Sequence, residues 1–407
     1  MKLLLTRNFG LLWSSRLISR LGDWILDVAL PIWVYQLTGS GALLGAMVAI
    51  EMIPGIVLAP FAGVLADRID RKKVAIITNL LLGLSVLLLF LVRSPEQIWL
   101  VFVVALLNAL LGVFLSPALN AMVPELVPTE QLLQANSLLT MTVQSMRLIG
   151  PAIGGMLIAL AGPRLAFGLD ALSFFLAALC LAGIHWTREE QAEVEELTSV
   201  WDDIRAGLVM IQSNFILRTT LVVWSVMMLA AGVVSALLVV FVHEALAGTD
   251  ASFGYILSAQ GLGMLLGGIA IMALGERVKP ISAFTIGLLA FSVLFLAGAN
   301  APNVPIAALL VCGMGVTMAI VAISDTTIFQ TATPSHFRAR VLASNSAVSS
   351  LMILIGAVGA GVLSDILGVR IVFNLAAILS LISALLALSL LGPNQIVPEP
   401  ATYPANN

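Results

Sequence analysis

Long apolar runs separated by short polar turns make up almost the whole chain. Cutting the sequence at its charged and turn residues gives twelve segments, each near or above the roughly 20 residues that cross a bilayer as a helix. Their spans are about 10–37, 41–66, 73–93, 97–121, 133–161, 164–186, 216–244, 252–274, 280–299, 304–329, 339–366 and 370–391. Backbone groups in lipid must be satisfied within a segment, and the alternation of a membrane barrel is absent. The pattern predicts an all-α polytopic membrane protein with twelve transmembrane helices.

Composition agrees with this prediction and excludes several function classes. The 407 residues are 60% hydrophobic and only 10% charged, whereas a soluble domain is about 25% charged, and the mean hydropathy is +1.08. A net charge of −3 gives no reason to expect a nucleic-acid partner. The two cysteines and three histidines are scattered, which predicts neither a disulfide framework nor a metal site. Since no nucleotide-binding loop or catalytic cluster is found, we expect no enzyme activity and no cofactor.

The basic residues fall mainly on one side of the predicted topology. With the amino terminus inside, fifteen Lys and Arg residues lie on the inner side, three lie on the outer side, and Arg147 is embedded in a span. Positive residues accumulate on the cytoplasmic side of membrane proteins. We therefore expect a multi-pass protein of the cell membrane with both termini in the cytoplasm.

The chain divides near its middle. An acidic loop separates the sixth and seventh spans, and two residue pairs recur 209 positions apart on equivalent inner ends, namely 67–68 with 276–277 and 136–137 with 345–346. These observations predict two pseudo-symmetric six-helix bundles, with domains at 1–186, 187–215, 216–391 and 392–407. The last of these is a proline-rich tail that we expect to be disordered.

The linker at 187–215 contains a second pattern after its acids. Trp201, Ile204, Leu208 and Ile211 recur at helical spacing, which predicts an amphipathic helix lying at the inner membrane surface. The linker is interpreted mainly as a tether between the two halves, and regulatory docking is the alternative.

A charged hairpin follows the second span. The stretch from Gly63 to Lys73 reads G-x-x-x-D-R-x-x-R-K and carries six charged residues in seven positions. It resembles the loop between helices 2 and 3 of the major facilitator superfamily, except that Asp70 stands where that family usually has Gly. The resemblance implies an inner-side latch formed by Gly63, Asp67, Arg68 and Arg71. The alternative is that these cations only set the topology.

The family arginine that Arg71 matches usually pairs with an acid on the fourth helix. Here the body of the fourth predicted span contains no acid, and Glu125, just beyond its end, is the nearest candidate. The pairing of Arg71 with Glu125 is therefore left open at this point.

The fifth span carries a glycine motif. Gly150, Pro151, Gly154 and Gly155 resemble the G-P-x-x-G-G signature of proton-coupled efflux members of the same superfamily, which implies outward transport; close helix packing is the alternative. Arg147 lies one turn earlier. An arginine within a membrane helix costs about 2.5–3.5 kcal/mol on insertion scales and needs a partner. Arg147 is also a candidate for the role of an arginine that efflux members often carry on helix 4.

The first span carries a charged stripe. Arg16, Arg20, Asp23 and Asp27 are spaced by four, three and four residues and therefore share one helical face. Such a face cannot point into lipid, and Glu51 in the second span lies at a similar depth. An acid whose arginine contact changes between conformations can take up and release a proton. Asp23 is the first candidate for proton coupling, followed by Glu51, Asp27 and Arg147; a static salt-bridge ladder is the alternative.

Three further residues are candidates for a substrate cavity, although helix packing explains each of them as well. Trp24 could stack on a cargo, Asp170 lies in the stretch FGLDALSFF, and Asp325 is followed by two threonines that could satisfy it. Three parts of the sequence resemble the macrolide-efflux and enterobactin-exporter branch of the superfamily. They are the stretch around Asp170, residues 22–23 together with 37–40, and the segment 124–138.

Together these resemblances imply a monomeric drug:proton antiporter-like exporter in the lipid bilayer. It would move a hydrophobic or amphipathic small molecule outward by alternating access, in exchange for protons, with the proton gradient as its energy source. The alternatives are an importer or facilitator of the same fold without proton exchange, and a membrane accessory protein that transports nothing.

Overall fold

The part of the chain that the structure describes is built from helices. The computed structural model describes residues 6–68, 70–185, 200–275 and 278–392, except for the side chains at 59–68, 200, 201, 203 and 336. Its α-helices are α1 (Arg7–Thr38), α2 (Gly41–Arg68), α3 (Arg71–Leu87), α4 (Ile98–Leu126), α5 (Leu132–Ala161), α6 (Pro163–Ala182), α7 (Val200–Ser213), α8 (Phe215–Val240), α9 (Asp250–Leu274), α10 (Pro280–Ala299), α11 (Val304–Thr331), α12 (Arg338–Leu367) and α13 (Val369–Leu391).

Eleven helices in the described ranges are long and apolar enough to cross a membrane, and α1 completes the predicted twelve spans. The eleven are α2 to α6 and α8 to α13. Helix α1 has 32 residues, which is more than the roughly 20 needed, but the charged stripe in its middle lowers its apolarity. Helix α7 has only 14 residues and is too short to span. The protein is therefore an all-α polytopic membrane protein, as the sequence pattern predicted.

Large apolar side chains are exposed along the membrane-spanning helices. Leu133 on α5, Met272 on α9, Leu309 on α11 and Ile366 on α12 are all exposed, the first of them at 80%. A soluble monomer rarely exposes contiguous apolar patches larger than a few hundred Å². Exposed apolar side chains of this kind are suited to contact with the acyl chains of lipids, so the bilayer takes the place that a second packed layer has in a water-soluble fold.

The turn residues that separate the predicted spans also fix the helix ends. Gly39 ends α1 with φ of +63°, a left-handed conformation that favours glycine, and its N–H donates to the carbonyl of Tyr35. Asn303 begins α11 by accepting a hydrogen bond from the N–H of Ile306. The short polar segments in the sequence thus act as helix caps as well as connections.

The helices form two compact units. The first comprises Met1–Glu195 together with Gly248–Ser258, and the second comprises Glu196–Ala247 together with Ala259–Asn407. Within the first unit, α1 packs on α5 and α6, and α3 packs on α4 and α6. Within the second, α8 packs on α12 and α13, and α10 packs on α11 and α13. Equivalent helices therefore pack on each other in the same pairs in both units, as expected for a duplicated six-helix element.

A repeated hydrogen bond supports this internal duplication. In the first unit the indole Nε1 of Trp13 on α1 donates to the hydroxyl of Thr142 on α5. In the second unit the indole Nε1 of Trp224 on α8 donates to the hydroxyl of Ser349 on α12. The two bonds join equivalent helix pairs and are 2.9 and 3.0 Å long. Two of the repeated residues used in the sequence argument, 276 and 277, lie outside the described part of the chain.

The predicted amphipathic helix is α7, and its surroundings differ from the prediction. It packs on α12, where the hydroxyl of Ser344 donates to the carbonyl of Ile204 at 2.9 Å. Ile211 is fully buried in a cluster with Phe329 of α11 and Val341 of α12. The apolar face of α7 is thus covered by protein of the second unit and does not simply lie on the membrane surface. The acidic part of the linker at 187–199 and the tail from 393 lie outside the described residues.

Candidate functional site

The charged stripe of α1 lies next to its tightly packed side, about 100° away around the helix axis. Ser15, Ser19 and Gly22 are buried against neighbouring helices, whereas the charged residues of the stripe are partly or largely exposed. The guanidinium of Arg16 donates to Oδ1 of Asn120 on α4 at 3.0 Å. Arg20 Nη1 lies 3.4 Å from Asp23 Oδ2. The stripe therefore contains one long ion pair and one cation–amide bond, and a continuous salt-bridge ladder is not observed among the described residues.

Asp27 and Glu51 extend the stripe to a second helix. Both side chains are exposed within the first unit. Asp27 lies within electrostatic range of Glu51, Asp23 and Arg20. Three carboxyl groups thus share a small region in which Arg20 is the nearby cation, and their mutual repulsion favours a state in which not all of them are ionised.

A fourth acid, Asp170 on α6, lies behind this cluster. It is fully buried and lies within electrostatic range of Asp23 and Asp27. Its Oδ1 accepts a long hydrogen bond of 3.5 Å from Ser173, and its Oδ2 has no hydrogen-bond partner in the described part of the chain. Asp170 therefore joins the acids of α1 and does not form a separate site.

Gly22 explains how α6 brings Asp170 so close to α1. A Cβ atom at position 22 would overlap Oγ of Ser173 and Oδ1 of Asp170. Only glycine fits at this point, because the side chains of α6 occupy the space where a methyl group would lie. We define the acid cluster as Asp23, Asp27, Glu51 and Asp170, with Arg20 as its ion-pairing cation.

Asp325 lies in the second unit, apart from the acid cluster in the chain. It is 3% exposed, and its Oδ2 accepts a hydrogen bond of 2.9 Å from Nδ2 of Asn345 on α12. The expectation that Thr326 and Thr327 could satisfy it is wrong. Their hydroxyls donate to the carbonyls one turn earlier in α11, as threonine side chains in helices commonly do.

The charged hairpin is held by contacts within the first unit. Asp70 caps α3 by accepting a hydrogen bond of 3.1 Å from the N–H of Lys73, which gives a local role to the residue that departs from the family pattern. Arg71 forms an ion pair with Glu125. Glu125 lies in the last turn of α4, which is longer than the sequence pattern predicted. The amine of Lys72 donates to the carbonyl of Ala182, the last residue of α6, and to that of Ile184 just beyond it.

The remaining members of the predicted latch are described only in part. Gly63, Asp67 and Arg68 lie in the last two turns of α2, and their side chains lie outside the described part of the structure. The latch at these three positions remains a prediction.

The glycines of α5 pack against two neighbours. A Cβ at Gly150 would overlap the side chain of Trp24, and a Cβ at Gly154 would lie 3.2 Å from the Cα of Ile25. A Cβ at Gly155 would lie 2.9 Å from the Cα of Gly254, at the start of α9. The motif thus makes close contacts both with α1 and with the segment Gly248–Ser258 that belongs to the first unit.

Pro151, Arg147 and Trp24 complete the predicted set on this face. Pro151 lies inside α5, and its carbonyl is among the atoms nearest Gly254. Arg147 is half-buried, and no hydrogen bond or ion pair joins it to another described residue. Trp24 is half-buried and covers Gly150, so helix packing accounts for its position.

Several polar contacts were not expected from the sequence. Asn120 and Asn345 each form a hydrogen bond with an ionisable residue of another helix, and Gln36 at the end of α1 donates to Asp250 at the start of α9 at 3.0 Å. Their partners are 20 to 214 positions away in the chain. The sequence signal that could have found them is a lone amide in an apolar span, because such a group needs a partner in lipid.

A cavity at the far end of α1 does not include the acid cluster. Its volume is about 220 Å³, and its lining includes Trp33, Leu37, Arg93 and Arg164. Trp33 lies ten residues beyond Asp23 on the same helix, a distance of about 15 Å at 1.5 Å per residue. The candidate site is therefore the acid cluster and not this cavity.

Residues 3–396 match the transmembrane secretion effector family of the major facilitator superfamily. The chain belongs to this family. Its fold, its eleven apolar spans together with α1, and its repeated helix pairing agree with that membership. The protein is accordingly a multi-pass membrane transporter of the major facilitator type that handles a small-molecule substrate, and it is not an enzyme.

Curated relatives cover 71% to 92% of the facilitator chain. It is 24% identical over 377 residues to macrolide efflux protein A of Streptococcus pyogenes, which covers 91% of this chain and 93% of that protein. It is 26% identical over 387 residues to the MFS-type transporter YfiS of Bacillus subtilis, with 92% and 91% covered. The multidrug resistance protein MdtG of Escherichia coli is 29% identical over 303 residues, with 71% of each chain covered. These matches place the protein near the macrolide-efflux branch.

Solved structures show the same fold at low identity. The nucleoside transporter NupG matches with a TM-score of 0.75 and 14% identity over 93% of this facilitator and 98% of that chain. A bacterial homologue of the human lysosomal transporter Spinster matches with a TM-score of 0.74 and 12% identity, covering 94% and 96%. A bacterial homologue of ferroportin matches with 0.73 and 18%, covering 95% and 98%. At these identities the likeness establishes the fold alone.

Proposed function

We propose that this transporter exports a hydrophobic or amphipathic small molecule, such as a drug, a macrolide or a siderophore-like compound, in exchange for protons. The acid cluster is the observation that carries the proposal. It places four carboxyl groups in one unit of a membrane protein, with Arg20 as the ion-pairing cation. Ionisable groups inside a membrane protein are costly and usually serve transport.

The contact between Arg20 and Asp23 suggests how protons are exchanged. At 3.4 Å it is a long ion pair, and both side chains are partly exposed, at 49% and 29%. A pair of this kind breaks at little cost. When Arg20 leaves Asp23, repulsion from the other carboxyl groups favours protonation of Asp23, and when Arg20 returns the proton is released. Alternating access then requires that these two states face opposite sides of the membrane.

The names of the relatives favour export over import. Macrolide efflux protein A and MdtG are named for efflux and multidrug resistance, and the glycine motif of α5 resembles that of proton-coupled efflux members. The skewed distribution of basic residues in the sequence supports a cell-membrane location with both termini in the cytoplasm. The proposed transporter works as a monomer and draws its energy from the proton gradient without a cofactor.

The test is gradient-driven export by the purified full-length protein in lipid vesicles, with a panel of macrolides and other amphipathic compounds. A gradient of one pH unit is worth about 1.4 kcal/mol per proton and supports a roughly tenfold concentration ratio of a neutral cargo for each proton exchanged. Wild type is expected to build such a ratio for at least one compound. Asp23→Asn is expected to leave the ratio near one while cargo exchange without a gradient continues, because the amide cannot carry a proton.

Asp365→Asn is the matched control, since Asp365 is an exposed acid in the last turn of α12, and it is expected to behave as wild type. If Asp23→Asn builds the same ratio as wild type, Asp23 is not the coupling acid. If wild type moves cargo equally with and without the gradient, the protein is a facilitator, and if it moves no compound the export proposal fails.

A further inference from the structure

The second unit contains a buried acid that the acid cluster does not explain. Asp325, two turns before the end of the apolar helix α11, is 3% exposed, and Asn345, its hydrogen-bond partner on α12, is 7% exposed. No cation forms an ion pair with Asp325 among the residues that the structure describes. A carboxylate in such an environment must gain a counter-charge or lose its own charge.

The helices packed around α11 show no counter-charge bound to Asp325 in the described ranges. Helix α7, whose Ile211 packs with Phe329 of α11, carries the exposed Asp202 and Arg205. Helix α10 and the part of α9 in the second unit, residues 259–274, contain no charged or titratable residue of the Asp, Glu, His, Lys or Arg types. Helix α8 carries Arg218 in its first turn. Helix α12 has Arg338, which donates to the carbonyl of Thr333, Arg340, which lies over the ring of Phe337, and Asp365 in its last turn. Arg218, Arg338 and Arg340 lie in the first turns of α8 and α12, and none of them forms an ion pair with Asp325 among the described residues.

The side chains of Asp325 and Asn345 do not use all of their hydrogen-bond acceptors. Nδ2 of Asn345 donates to Oδ2 of Asp325 at 2.9 Å. Oδ1 of Asp325 and Oδ1 of Asn345 are both buried acceptors without a hydrogen-bond partner in the described ranges. Two groups that are already joined by one bond thus each retain one unused acceptor, which is an unfavourable arrangement if Asp325 is ionised.

We propose that Asp325 and Asn345 form a second proton-binding site, located in the second unit, and that Asp325 carries a proton in the conformation seen here. A proton on Oδ1 of Asp325 turns that oxygen into a donor for Oδ1 of Asn345, while the existing bond from Nδ2 of Asn345 is kept. One proton removes the buried charge and satisfies both unused acceptors. The carboxylic acid and the amide are then joined by two hydrogen bonds.

This site does not depend on the proposed export function or on Asp23. Its two residues lie on different helices, so the loss of the proton leaves a buried charge and two unpaired acceptors at the contact between α11 and α12. Proton release is therefore linked to a movement of these helices that admits water or another donor. A transporter with one proton site in each unit has a means of coupling both units to the proton gradient.

Infrared spectroscopy of the full-length protein in lipid tests the proposal. A protonated carboxylic acid has a carbonyl band that is separate from those of carboxylates and amides. Wild type at neutral pH is expected to show this band, and the difference spectrum between wild type and Asp325→Asn is expected to contain one carbonyl component, because protonated members of the acid cluster contribute to both spectra and cancel. Asp365→Asn, which removes the exposed acid of α12, is expected to keep the wild-type band. Absence of the band in wild type, or a difference spectrum between wild type and Asp325→Asn without a carbonyl component, overturns the proposal.

Two further measurements keep the test independent of folding. Asn345→Leu retains the acid but removes both of its hydrogen bonds, so the carbonyl band is expected to shift; an unchanged band contradicts the paired arrangement. Asp325→Asn resembles the neutral acid in shape and is expected to unfold at or above the wild-type temperature. A comparison of sodium with choline tests for metal binding. If sodium ions raise the unfolding temperature of wild type but not that of Asp325→Asn, and choline has no such effect, the site binds a metal cation and the proton assignment is wrong.

Discussion

The contact between α1 and α6 at Gly22 makes a sharp prediction, because it positions Asp170 beside the acids of α1. In Gly22→Ala the new methyl group would overlap Oγ of Ser173 and Oδ1 of Asp170, and it would lie 2.8 Å from Cβ of Ser173. Since Ser173 and Asp170 are themselves buried, they cannot rotate into free space. The two helices must therefore move apart.

The size of the effect follows from two opposing contributions. Overpacking of a tight contact costs about 1–3 kcal/mol, whereas replacing a helical glycine by alanine stabilises by about 0.5–1 kcal/mol. Gly22→Ala is thus expected to lose stability overall. Gly112→Ala on α4 is the matched control, because no atom lies within 4 Å of a Cβ at that position. The control should gain the helical contribution alone, so the two variants should differ by about 1–3 kcal/mol.

Denaturant-induced unfolding of the purified protein in detergent, with wild type alongside, measures this difference. Adding Ser173→Gly to Gly22→Ala removes two of the three overlapping atoms, and the double variant is expected to recover part of the lost stability. Gradient-driven export by Gly22→Ala should also fall, since Asp170 no longer approaches the acids of α1. Equal stability of Gly22→Ala and Gly112→Ala would show that α1 and α6 are not in such close contact and would refute this reasoning.

Two other contacts in the first unit yield predictions of the same kind. In a double-mutant cycle with Arg71→Ala and Glu125→Ala, unfolding measurements should give a coupling energy of about 0.5–3 kcal/mol, because the ion pair is largely buried; a value near zero would contradict a direct pair. Gly155→Ala should reduce export and stability by overpacking against Gly254 at a cost of about 1–3 kcal/mol. Gly268→Ala inside α9, which has open space around a Cβ, should leave export unchanged and gain about 0.5–1 kcal/mol of stability. Similar behaviour of these two variants would exclude a close α5–α9 contact.

The helices and their number were predictable because lipid leaves the backbone no alternative. The predicted first span, 10–37, is found within α1 (Arg7–Thr38), and the cap at Gly39 follows from its turn sequence. The end of α4 was less predictable. The pattern ended the fourth span at 121, but α4 continues to Leu126 past two internal prolines. That extension brings Glu125 into contact with Arg71.

The sequence also indicated which residues could carry protons, but not all of their partners. Four-three-four spacing placed Arg20 and Asp23 on one face, and the ion pair between them is local in the chain. Asp170 was interpreted as a substrate-cavity candidate, and its approach to α1 depends on the absence of a side chain at Gly22. A missing side chain leaves no periodic signal in the sequence, so this contact is visible only once both helices are in place.

By itself the amino-acid sequence determined the membrane location, the helical spans, the duplicated organisation and the charged stripe of α1. These features follow from local composition, since hydrophobicity and residue spacing act within a single helix. Only the tertiary structure decided that Asn345 and not a neighbouring threonine binds Asp325, that α7 packs on α12, and that Asp170 joins the acids of α1. Such pairings depend on which faces of distant helices meet, and packing of the whole unit selects them.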